Sequence, residues 1–375
     1  MTVRHYIGLM SGTSLDGVDG VLVTAHDTGT AGFQLLASAC QPFDADFRRD
    51  AMALQSPGDN EIHREAMLGN RLAHLYAACV TQLLKHAAIS PETVSAIGAH
   101  GQTIRHCPDQ GYSRQTNNPA LLAELTGIDV IADFRSRDIA ADGQGAPLVP
   151  AFHHAMFASA DEHRVIANIG GISNITLLQG GALSGVTGFD TGPGNMLMDA
   201  WIARHHGLPY DNGGAWACAG AVNEPLLAAL RSDGFFQKAP PKSTGRDLFD
   251  MTWLEHKLAG FSKVLPVNVQ ATLLALTATT LADAIATQAP EALAVYVCGG
   301  GVYNSALMRE IEQALKLSGH SALVTSTAAL GVSPTHVEAM AFAWLAASFK
   351  QGLRGNLPAV TGAQGPRILG ACYPR

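Results

Sequence analysis

The sequence has no closely spaced cysteine pair, no basic block and few charged residues of either sign. Its six cysteines are scattered without a CxxC motif, which argues against a disulfide framework or zinc site and favours buried thiols. A formal net charge of −7 disfavours nucleic acid and anionic membranes as partners. No apolar run approaches the ~20 residues of a membrane span, and polar residues begin at Ser11 without a preceding signal-peptide core. We therefore expect a cytoplasmic protein.

The chain contains enough apolar residues for two large cores. It has 375 residues, of which 47% are hydrophobic, so two domains are expected. Each half begins with three predicted strands joined as hairpins and continues with alternating helices and strands. This repeated order predicts two α/β domains. We place them at residues 1–155 and 156–375, with a last helix at 334–350 that could pack back on the first domain.

Each half begins with a hairpin whose turn is rich in glycine. The turns are "SGTSLDG" from Ser11 and "GGISN", which supplies Gly170, Gly171 and Asn174. Glycine lets a ligand approach the backbone, and consecutive N–H groups can bind an anion such as a polyphosphate. Asp16 and Asp19 would repel phosphate but suit Mg²⁺, directly or through water. The alternative for a single turn is a plain hairpin with a solvated acidic loop.

Two further glycine-containing segments follow predicted strands in the second half. "GFDTGPGN" puts Asp190 at a strand end, where α/β domains usually bind ligands. Asp190 could instead cap the next helix, although Asn195 lies closer to that helix and could cap it. "VCGGGVYN" lacks the GxGxxG spacing but allows a nucleoside or phosphate to approach its backbone. Taken alone, it favours a tight turn with a helix cap at Asn304; its glycines are Gly299, Gly300 and Gly301.

Polar residues also follow predicted strands in the first half. His100 and His106 lack a helical metal-binding spacing, so His100 and Gln102 favour a sugar or carboxylate ligand. Arg135 follows another strand and indicates either a solvated rim or a site for an anionic substrate.

One acidic residue and one basic loop are harder to interpret. Glu338 lies in an otherwise apolar helix, where a pairing with arginine or a helix N-terminus is slightly favoured over a functional role. The loop "PPKSTGRD" (240–247) reads as an exposed connector rather than a phosphate site.

Nine motifs in order resemble the bacterial anhydro-N-acetylmuramic acid kinases, from about Gly8 to Tyr373. They are "GLMSGTSLDGVD", "GQTIRH", "NPALLAELTG", "GQGAPLVPAFH", "NIGGISN", "FDTGPGN", "PKSTGR", "VCGGGVYN" and "EAMAFAWLA". The resemblance implies two RNase H-like domains, as in sugar kinases, Hsp70 and actin, with a nucleotide cleft between them. Asn117 and Asp142 depart from the family pattern, since glycine is common at both positions.

The resemblance also implies an activity and its residues. Such kinases use ATP, Mg²⁺ and water to open the 1,6-anhydro bridge of anhydro-N-acetylmuramic acid and to phosphorylate O6, in peptidoglycan recycling. Asp190 matches the catalytic aspartate, and Arg135 and Glu338 match positions associated with the sugar pocket. The ATP-binding segment corresponds to Gly12, Thr13, Ser14, Leu15, Asp16, Gly17, Val18 and Asp19.

Two other functions remain open at this point. An ordinary sugar kinase acting on a free hydroxyl needs the same turns and the same base. An actin-like or Hsp70-like ATPase switch has the same architecture. We also leave open whether the chain forms a homodimer.

Overall fold

The computed structural model describes residues 3–12, 14–26, 33–245 and 248–375. Up to residue 157 its strands and helices are β1 Val3–Ser11, β2 Gly17–His26, β3 Gln34–Pro42, α1 Ala45–Ala53, α2 Glu61–Ala87, β4 Val94–Cys107, β5 Tyr112–Thr116, α3 Pro119–Thr126, β6 Val130–Ala132, α4 Ser136–Ile139 and α5 Val149–Phe157. From residue 164 they are β7 Arg164–Ile169, β8 Ile172–Leu178, β9 Val186–Pro193, α6 Met196–His206, α7 Ala215–Cys218, α8 Glu224–Arg231, α9 Gly234–Gln237, α10 Met251–Leu258, α11 Pro266–Gln288, β10 Ala294–Cys298, α12 Ser305–Leu317, β11 Leu323–Ser326, α13 Val337–Lys350, α14 Pro358–Thr361 and β12 Ala371–Tyr373.

The two sheets share the same order of five strands, and the first sheet has two further strands, β5 and β12. In the first sheet, β1 pairs antiparallel with β2 and parallel with β4, and the order is β12-β6-β4-β1-β2-β3 with β5 paired to β4. In the second, β7 pairs antiparallel with β8 and parallel with β10, and the order is β11-β10-β7-β8-β9. Three antiparallel strands followed by parallel ones, in the spatial order 3-2-1-4-5, form an RNase H-like sheet. The predicted α/β fold class with two such sheets is therefore confirmed.

The chain divides into two compact units. One contains residues 1–156 together with 336–375, and the other contains residues 157–335. The sequence analysis assigned everything after 155 to the second domain and allowed only the last helix to return. In the structure the whole segment from His336 belongs to the first unit, because α13 packs on β1 and β4 and β12 pairs with β6.

A pair of glycines lets α13 lie directly on the first sheet. Gly8 of β1 and Gly98 of β4 are neighbours across the parallel pair. A Cβ on Gly8 would lie 1.8 Å from the carbonyl oxygen of Ala339, and one on Gly98 would lie 2.0 Å from that of Phe342. Helix backbone and sheet backbone are thus in contact, which no larger residue at these two positions would permit.

Several predicted helix ends are confirmed. Asn118 accepts a hydrogen bond from the Leu121 N–H as the cap of α3, and Gly127 ends that helix at φ +65°. Asn304 caps α12 by accepting from the Leu307 N–H. Asn195 occupies the N-cap position of α6, as expected, but its side chain does not cap the helix. It donates to the Ile169 carbonyl oxygen instead.

Helix α11 is long and apolar enough to cross a membrane by length and composition. However, 78% of its most apolar window is buried inside the structure, and residues such as Leu273, Leu276 and Leu281 belong to the core of the second unit. A buried core helix accounts for this composition. The six cysteines all lie in the described ranges and are free thiols. The prediction that they are buried holds for Cys79 and Cys298 but is wrong for Cys40, Cys218 and Cys372, which are exposed.

We predict that Gly8→Ala destabilises the first unit. Its Cβ would meet the Ala339 backbone, which cannot move without displacing α13 from the sheet, so the free energy of unfolding should fall by roughly 1–3 kcal/mol or more. Chemical denaturation followed by circular dichroism measures this. Gly58→Ala is the matched control in the same unit, since only the flexible Arg64 side chain lies near it. Equal stability of the two variants would contradict the backbone contact.

Candidate active site

The first glycine turn is fixed at its start by side chains from α2 and β4. Ser11 Oγ lies 3.1 Å from the Tyr76 hydroxyl and donates to the Gly101 carbonyl oxygen at 3.0 Å. The Gln102 Nε2 donates to the Gly12 carbonyl oxygen at 3.2 Å. The Ser11 side chain and the Gly12 carbonyl oxygen, which begin the turn, are therefore already bonded to the rest of the first unit.

Leu15 has the least favourable backbone conformation in this turn. Its φ is +60°, a region that costs energy for any residue with a Cβ. Its side chain is buried in the core of the first unit, and its N–H donates to the Gly12 carbonyl oxygen. The buried side chain thus holds a strained turn in one shape. Of the predicted nucleotide-binding residues Gly12–Asp19, Thr13 lies outside the described residues.

Two carboxylates flank the start of β2 on the exposed side of this turn. Asp16 and Asp19 are both exposed. The pKa of Asp19 is raised, mainly by loss of solvent around the carboxylate. The Asp16 carboxylate raises it further, whereas the Cys40 thiol and His336 lower it. In the part of the chain that the structure describes, no three His, Cys, Asp or Glu side chains cluster as a metal site would require. The pair could serve a metal that takes its other ligands elsewhere.

His100 and Arg135 form a hydrogen-bonded pair behind the turn. His100 Nδ1 lies 3.2 Å from the Ser11 carbonyl oxygen, and Arg135 Nη2 lies 2.9 Å from His100 Nε2. A carbonyl only accepts and a guanidinium only donates, so His100 is neutral with its proton on Nδ1. This agrees with its pKa, which burial and the neighbouring Arg135 lower to about 3.

Glu338 lies in the first turn of α13, where the helix dipole favours negative charge. Burial raises the pKa of Glu338, Asp19 raises it further, and Arg135 lowers it. The Arg135 guanidinium bonds to His100 and to the Gly145 carbonyl oxygen. Glu338 thus has both structural features that the sequence analysis favoured, an arginine and a helix N-terminus. It also lies near Asp19, another predicted site residue.

In the second unit, the glycine hairpin lies beside the strand that carries Asp190. Asn174 of β8 is the register partner of Asp190 on β9. Gly194 packs so close to the hairpin that a Cβ there would lie 2.3 Å from the Gly170 carbonyl oxygen. The predicted Gly171 accepts a backbone hydrogen bond from Gly194.

Asp190 is partly buried and is bound by the loop that follows Pro240. The Thr244 N–H donates to Asp190 Oδ2 at 2.8 Å, and the Asp190 N–H donates to the Lys242 carbonyl oxygen at 3.0 Å. Burial raises the pKa of Asp190 to about 6, against the lowering effect of the Thr244 N–H. The predicted exposed connector is exposed at Pro241 and Ser243, but its Lys242 and Thr244 backbone groups bond to Asp190 within β9. Residues 246 and 247 of this loop lie outside the described residues.

The third glycine segment lies next to an open cavity. Gly299 has φ +81°, and a Cβ there would lie 2.6 Å from Asn168 Oδ1 on β7. Gly300 and Gly301 continue into a turn that Asn304 ends. A cavity of about 590 Å³ adjoins this segment and is lined by Val302, Tyr303, Ser326, Ala328, Gly331, Ser333 and Pro334.

Several buried polar atoms have no hydrogen-bond partner among the described residues. In the first unit these include Gln102 Oε1 and Arg135 Nε, and in the second Ser173 Oγ and Thr244 Oγ1. Such atoms are rare unless water or a ligand completes them. Thr244 and Ser173 were missed by the sequence analysis, although "PKSTGR" was one of the family motifs and signals the loop that holds Thr244.

Site residues therefore group within each unit. The first unit brings together the Gly12 turn, His100, Gln102, Arg135 and Glu338. The second brings together Gly170, Gly171, Asn174, Asp190 and the Gly299–Asn304 segment. Two RNase H-like units with glycine hairpins define a protein of the sugar kinase, Hsp70 and actin architecture.

The chain belongs to the anhydro-N-acetylmuramic acid kinase family. Residues 4–375 match the family model of that description. The proteins named anhydro-N-acetylmuramic acid kinase from Burkholderia pseudomallei strain 1710b and Burkholderia cenocepacia are 57% and 56% identical to it, and each alignment covers 99% of this chain and 97% or 96% of the relative. It is thus a kinase, a phosphotransferase with an alcohol group as acceptor.

Solved structures resemble the chain more weakly. Component A of (R)-2-hydroxyglutaryl-CoA dehydratase from Acidaminococcus fermentans is 11% identical, with a TM-score of 0.48 over 93% of this chain and 99% of that one. A ROK hexokinase from Thermus thermophilus is 15% identical, with a TM-score of 0.39 over 92% and 99%. These scores are too low to bear on function.

We predict that Asp190→Asn stabilises the second unit at pH 8 but not at pH 4. The pKa of Asp190 rises from 3.8 to about 6 on folding, so the folded state binds the proton more tightly. Stability present below about pH 4 is therefore lost as the pH rises through about 6. The neutral amide avoids this loss of about 1–3 kcal/mol. Denaturation of both proteins at the two pH values measures it, and an equal difference at pH 4 and pH 8 would contradict the raised pKa.

Proposed function

We propose that this chain uses ATP and water to convert anhydro-N-acetylmuramic acid into N-acetylmuramic acid 6-phosphate and ADP. Water attacks the anomeric carbon, the bond from that carbon to O6 breaks, and O6 takes the γ-phosphoryl group. The water proton passes to a carboxylate. The identity to relatives of that name supports the substrate. The recycling of peptidoglycan in the cytoplasm is the setting that this substrate implies, and a homodimer stays a prediction.

The proposal rests on the position of Asp190 and on the raised pKa of its carboxyl group. Asp190 lies on β9 with its pKa raised to about 6 by burial. A general base is most effective when its pKa lies near the working pH. An inverting glycosidase needs a second carboxyl to protonate the leaving oxygen. Here O6 leaves onto phosphorus, so one carboxylate suffices, and we assign the role of base to Asp190.

The glycine segments would bind the nucleotide. Backbone N–H groups of the Gly12 turn and of Gly171 suit phosphate oxygens, whereas the Gly170 N–H already donates to the Ile172 carbonyl oxygen. The cavity beside Gly299–Asn304 is in the range of volumes that accept a small ligand, and its aromatic and hydroxyl side chains suit a nucleoside. We therefore propose that Gly170, Gly171, Asn174, Gly299, Gly300, Gly301 and Asn304 bind ATP with the first turn.

The donor set of Asp16 and Asp19 fits Mg²⁺. Magnesium prefers oxygen ligands and is usually held by one or two carboxylates together with substrate phosphates and water. Both carboxylates are exposed on the first glycine turn, and the Asp16 carboxylate is close enough to raise the pKa of Asp19. When bound, the ion would offset charge on the phosphates. Asp16 and Asp19 would hold it directly or through water.

His100, Gln102, Arg135 and Glu338 would bind the sugar. Arg135 Nε and Gln102 Oε1 are a buried donor and a buried acceptor without a partner among the described residues. An oxygen of an amino sugar acid could accept from Arg135 Nε, and a hydroxyl or amide N–H of the same ligand could donate to Gln102 Oε1. His100 is neutral and already uses both ring nitrogens, so its role would be to orient Arg135 rather than to transfer a proton.

We predict that Gly12→Val lowers ATP affinity by roughly tenfold or more without unfolding the chain. The nearest atom to a Cβ at Gly12 is Ser14 Oγ at 3.6 Å, so the side chain fits the free protein but occupies the space of an approaching phosphate. Calorimetry measures the affinity, and circular dichroism checks the fold. Gly12→Ala should show a smaller loss. Unchanged affinity in Gly12→Val would mean that the turn is only a hairpin.

We predict that Asp190→Asn lowers turnover by roughly 10²–10⁴-fold with ATP binding retained, the usual range for a general base. In the unchanged protein, kcat/KM should fall as the pH drops below about 6, because the base becomes protonated. A variant with near-normal turnover would refute the assignment of Asp190.

The route of water distinguishes ring opening from ordinary phosphorylation. Turnover in oxygen-18 water should place the label on the anomeric hydroxyl, because water attacks that carbon. The phosphate ester should carry none, since its bridging oxygen is the O6 of the substrate. Mass spectrometry of fragments separates the two positions.

This experiment needs prompt sampling at low temperature, because opening of the product ring exchanges the anomeric oxygen with solvent. A sample of unlabelled product incubated for the same time in labelled water is the control. An unlabelled anomeric oxygen at the earliest times would favour an ordinary hydroxyl kinase, which incorporates no water. Label in the phosphate ester would contradict transfer to the O6 of the substrate.

A further inference from the structure

Asp138 is a fully buried carboxylate that the proposed reaction does not use. It lies on α4 with 0% of its surface exposed. Its Oδ2 accepts from the Gly145 N–H at 2.8 Å, and its Oδ1 accepts from Asn356 Nδ2 at 2.6 Å and Thr361 Oγ1 at 2.8 Å. A buried charge persists only when several donors satisfy it, so this site is built around the carboxylate.

The segment from Asn356 to Gln364, called here the C-terminal clamp, holds the loop that follows Asp138. The Gln144 N–H donates to the Thr361 carbonyl oxygen, and the Gln364 N–H donates to that of Ala141, each at 2.7 Å. Gln364 Nε2 also donates to Asp142 Oδ2 at 2.5 Å. Residues more than 200 positions apart are thus tied at several points.

The two glycines of this loop are required by its closeness to Asp138. A Cβ on Gly143 would lie 2.2 Å from Asp138 Oδ2. Gly145 has φ +66°, and a Cβ there would lie 2.8 Å from the Ile139 side chain. Larger residues would push the loop away from the carboxylate.

The loop in turn holds Arg135. The Gly145 carbonyl oxygen accepts from Arg135 Nη1 at 2.7 Å, while the Gly145 N–H is the group bonded to Asp138. Arg135 Nη2 bonds to His100, which bonds to the Ser11 carbonyl oxygen. A continuous chain of hydrogen bonds therefore runs from the C-terminal clamp to the start of the glycine turn.

We propose that Asp138 is a positioning residue that, with the C-terminal clamp, fixes the Arg135 guanidinium so that its unpaired Nε can bind the sugar. The sugar-binding role of Arg135 rests on the proposed function. Two of the three Arg135 nitrogens are committed to Gly145 and His100, so the position of Gly145 sets the direction of the third. Burial lowers the pKa of Arg135 to about 10, and the nearby Asp138 carboxylate limits this decrease.

The first test compares ligand affinities by calorimetry. Asp138→Asn should weaken binding of anhydro-N-acetylmuramic acid by roughly tenfold, the effect of one lost charged hydrogen bond, and change ATP affinity less than about twofold. Thr361→Val keeps the shape and removes one donor, so it should show a smaller loss of the same kind. Asp129→Asn is the matched control, because Asp129 ties Lys350 and the Arg375 N–H to the same unit without contacting this loop.

The second test asks whether Asp138 acts through Arg135. If it does, Asp138→Asn should cause no further loss of sugar affinity in an Arg135→Lys background, since coupled residues are not additive. A readout without substrate is the Arg135 Nε–H signal in nitrogen-15 spectra, assigned by its absence in Arg135→Lys. This signal should broaden in Asp138→Asn and stay sharp in Asp129→Asn.

Three results would overturn the positioning role: normal sugar affinity in Asp138→Asn, an equal loss in the Arg135→Lys background, or an unchanged Arg135 signal. A folding defect in Asp138→Asn would be visible as equal loss of both ligands, and Thr361→Val then decides the question. If the unchanged protein fails to bind the anhydro sugar, the proposed function is wrong, and the Arg135 signal still tests the positioning role by itself.

Discussion

The contact between α13 and the first sheet is the constraint on which the first unit depends. Gly8 and Gly98 lie side by side and remove the side chains that would separate helix from sheet. The helix can then place Glu338, in its first turn, near Arg135 and Asp19. The same return of the chain brings the C-terminal clamp onto Asp138. The absence of side chains at Gly8 and Gly98 therefore allows a segment from the end of the sequence to lie beside the residues proposed to bind the sugar.

Asp138 and Asp190 differ in how many hydrogen-bond donors their carboxylates receive. This difference indicates which carboxylate stabilises the fold and which could act as a base. Asp138 has three hydrogen-bond donors and lies in a closed network. Asp190 is held by the Thr244 N–H, and its pKa is raised to about 6. A satisfied carboxylate stabilises the fold around it, whereas an incompletely satisfied one is held ready to accept a proton at some cost in stability. This contrast favours Asp190 as the base and Asp138 as an anchor.

The sequence predicted the parts of the fold that local patterns determine. The order of most strands and helices and the caps at Asn118 and Asn304 follow from periodicity and turn residues, although β5 and β12 were missed. The prediction that His100 and Asp190 lie at strand ends is wrong, because β4 and β9 continue beyond them to Cys107 and Pro193. The sequence analysis allowed the helix at 334–350 to return to the first unit but not the whole segment 336–375, since Gly8 and Gly98 look like ordinary strand glycines without their partner helix. Thr244 was missed for the same reason: its N–H reaches Asp190 across 54 positions. The roles of the site residues stay predictions, because they depend on ligands.

The central claim is that the leaving oxygen of an anhydro bridge, and not a free hydroxyl, receives the phosphoryl group. The most direct measurement is ADP release with ATP, Mg²⁺ and either anhydro-N-acetylmuramic acid or N-acetylmuramic acid at equal concentration. The account predicts one ADP for each anhydro sugar consumed, and little release with the open sugar or with no sugar. Faster release with N-acetylmuramic acid than with the anhydro sugar would contradict it.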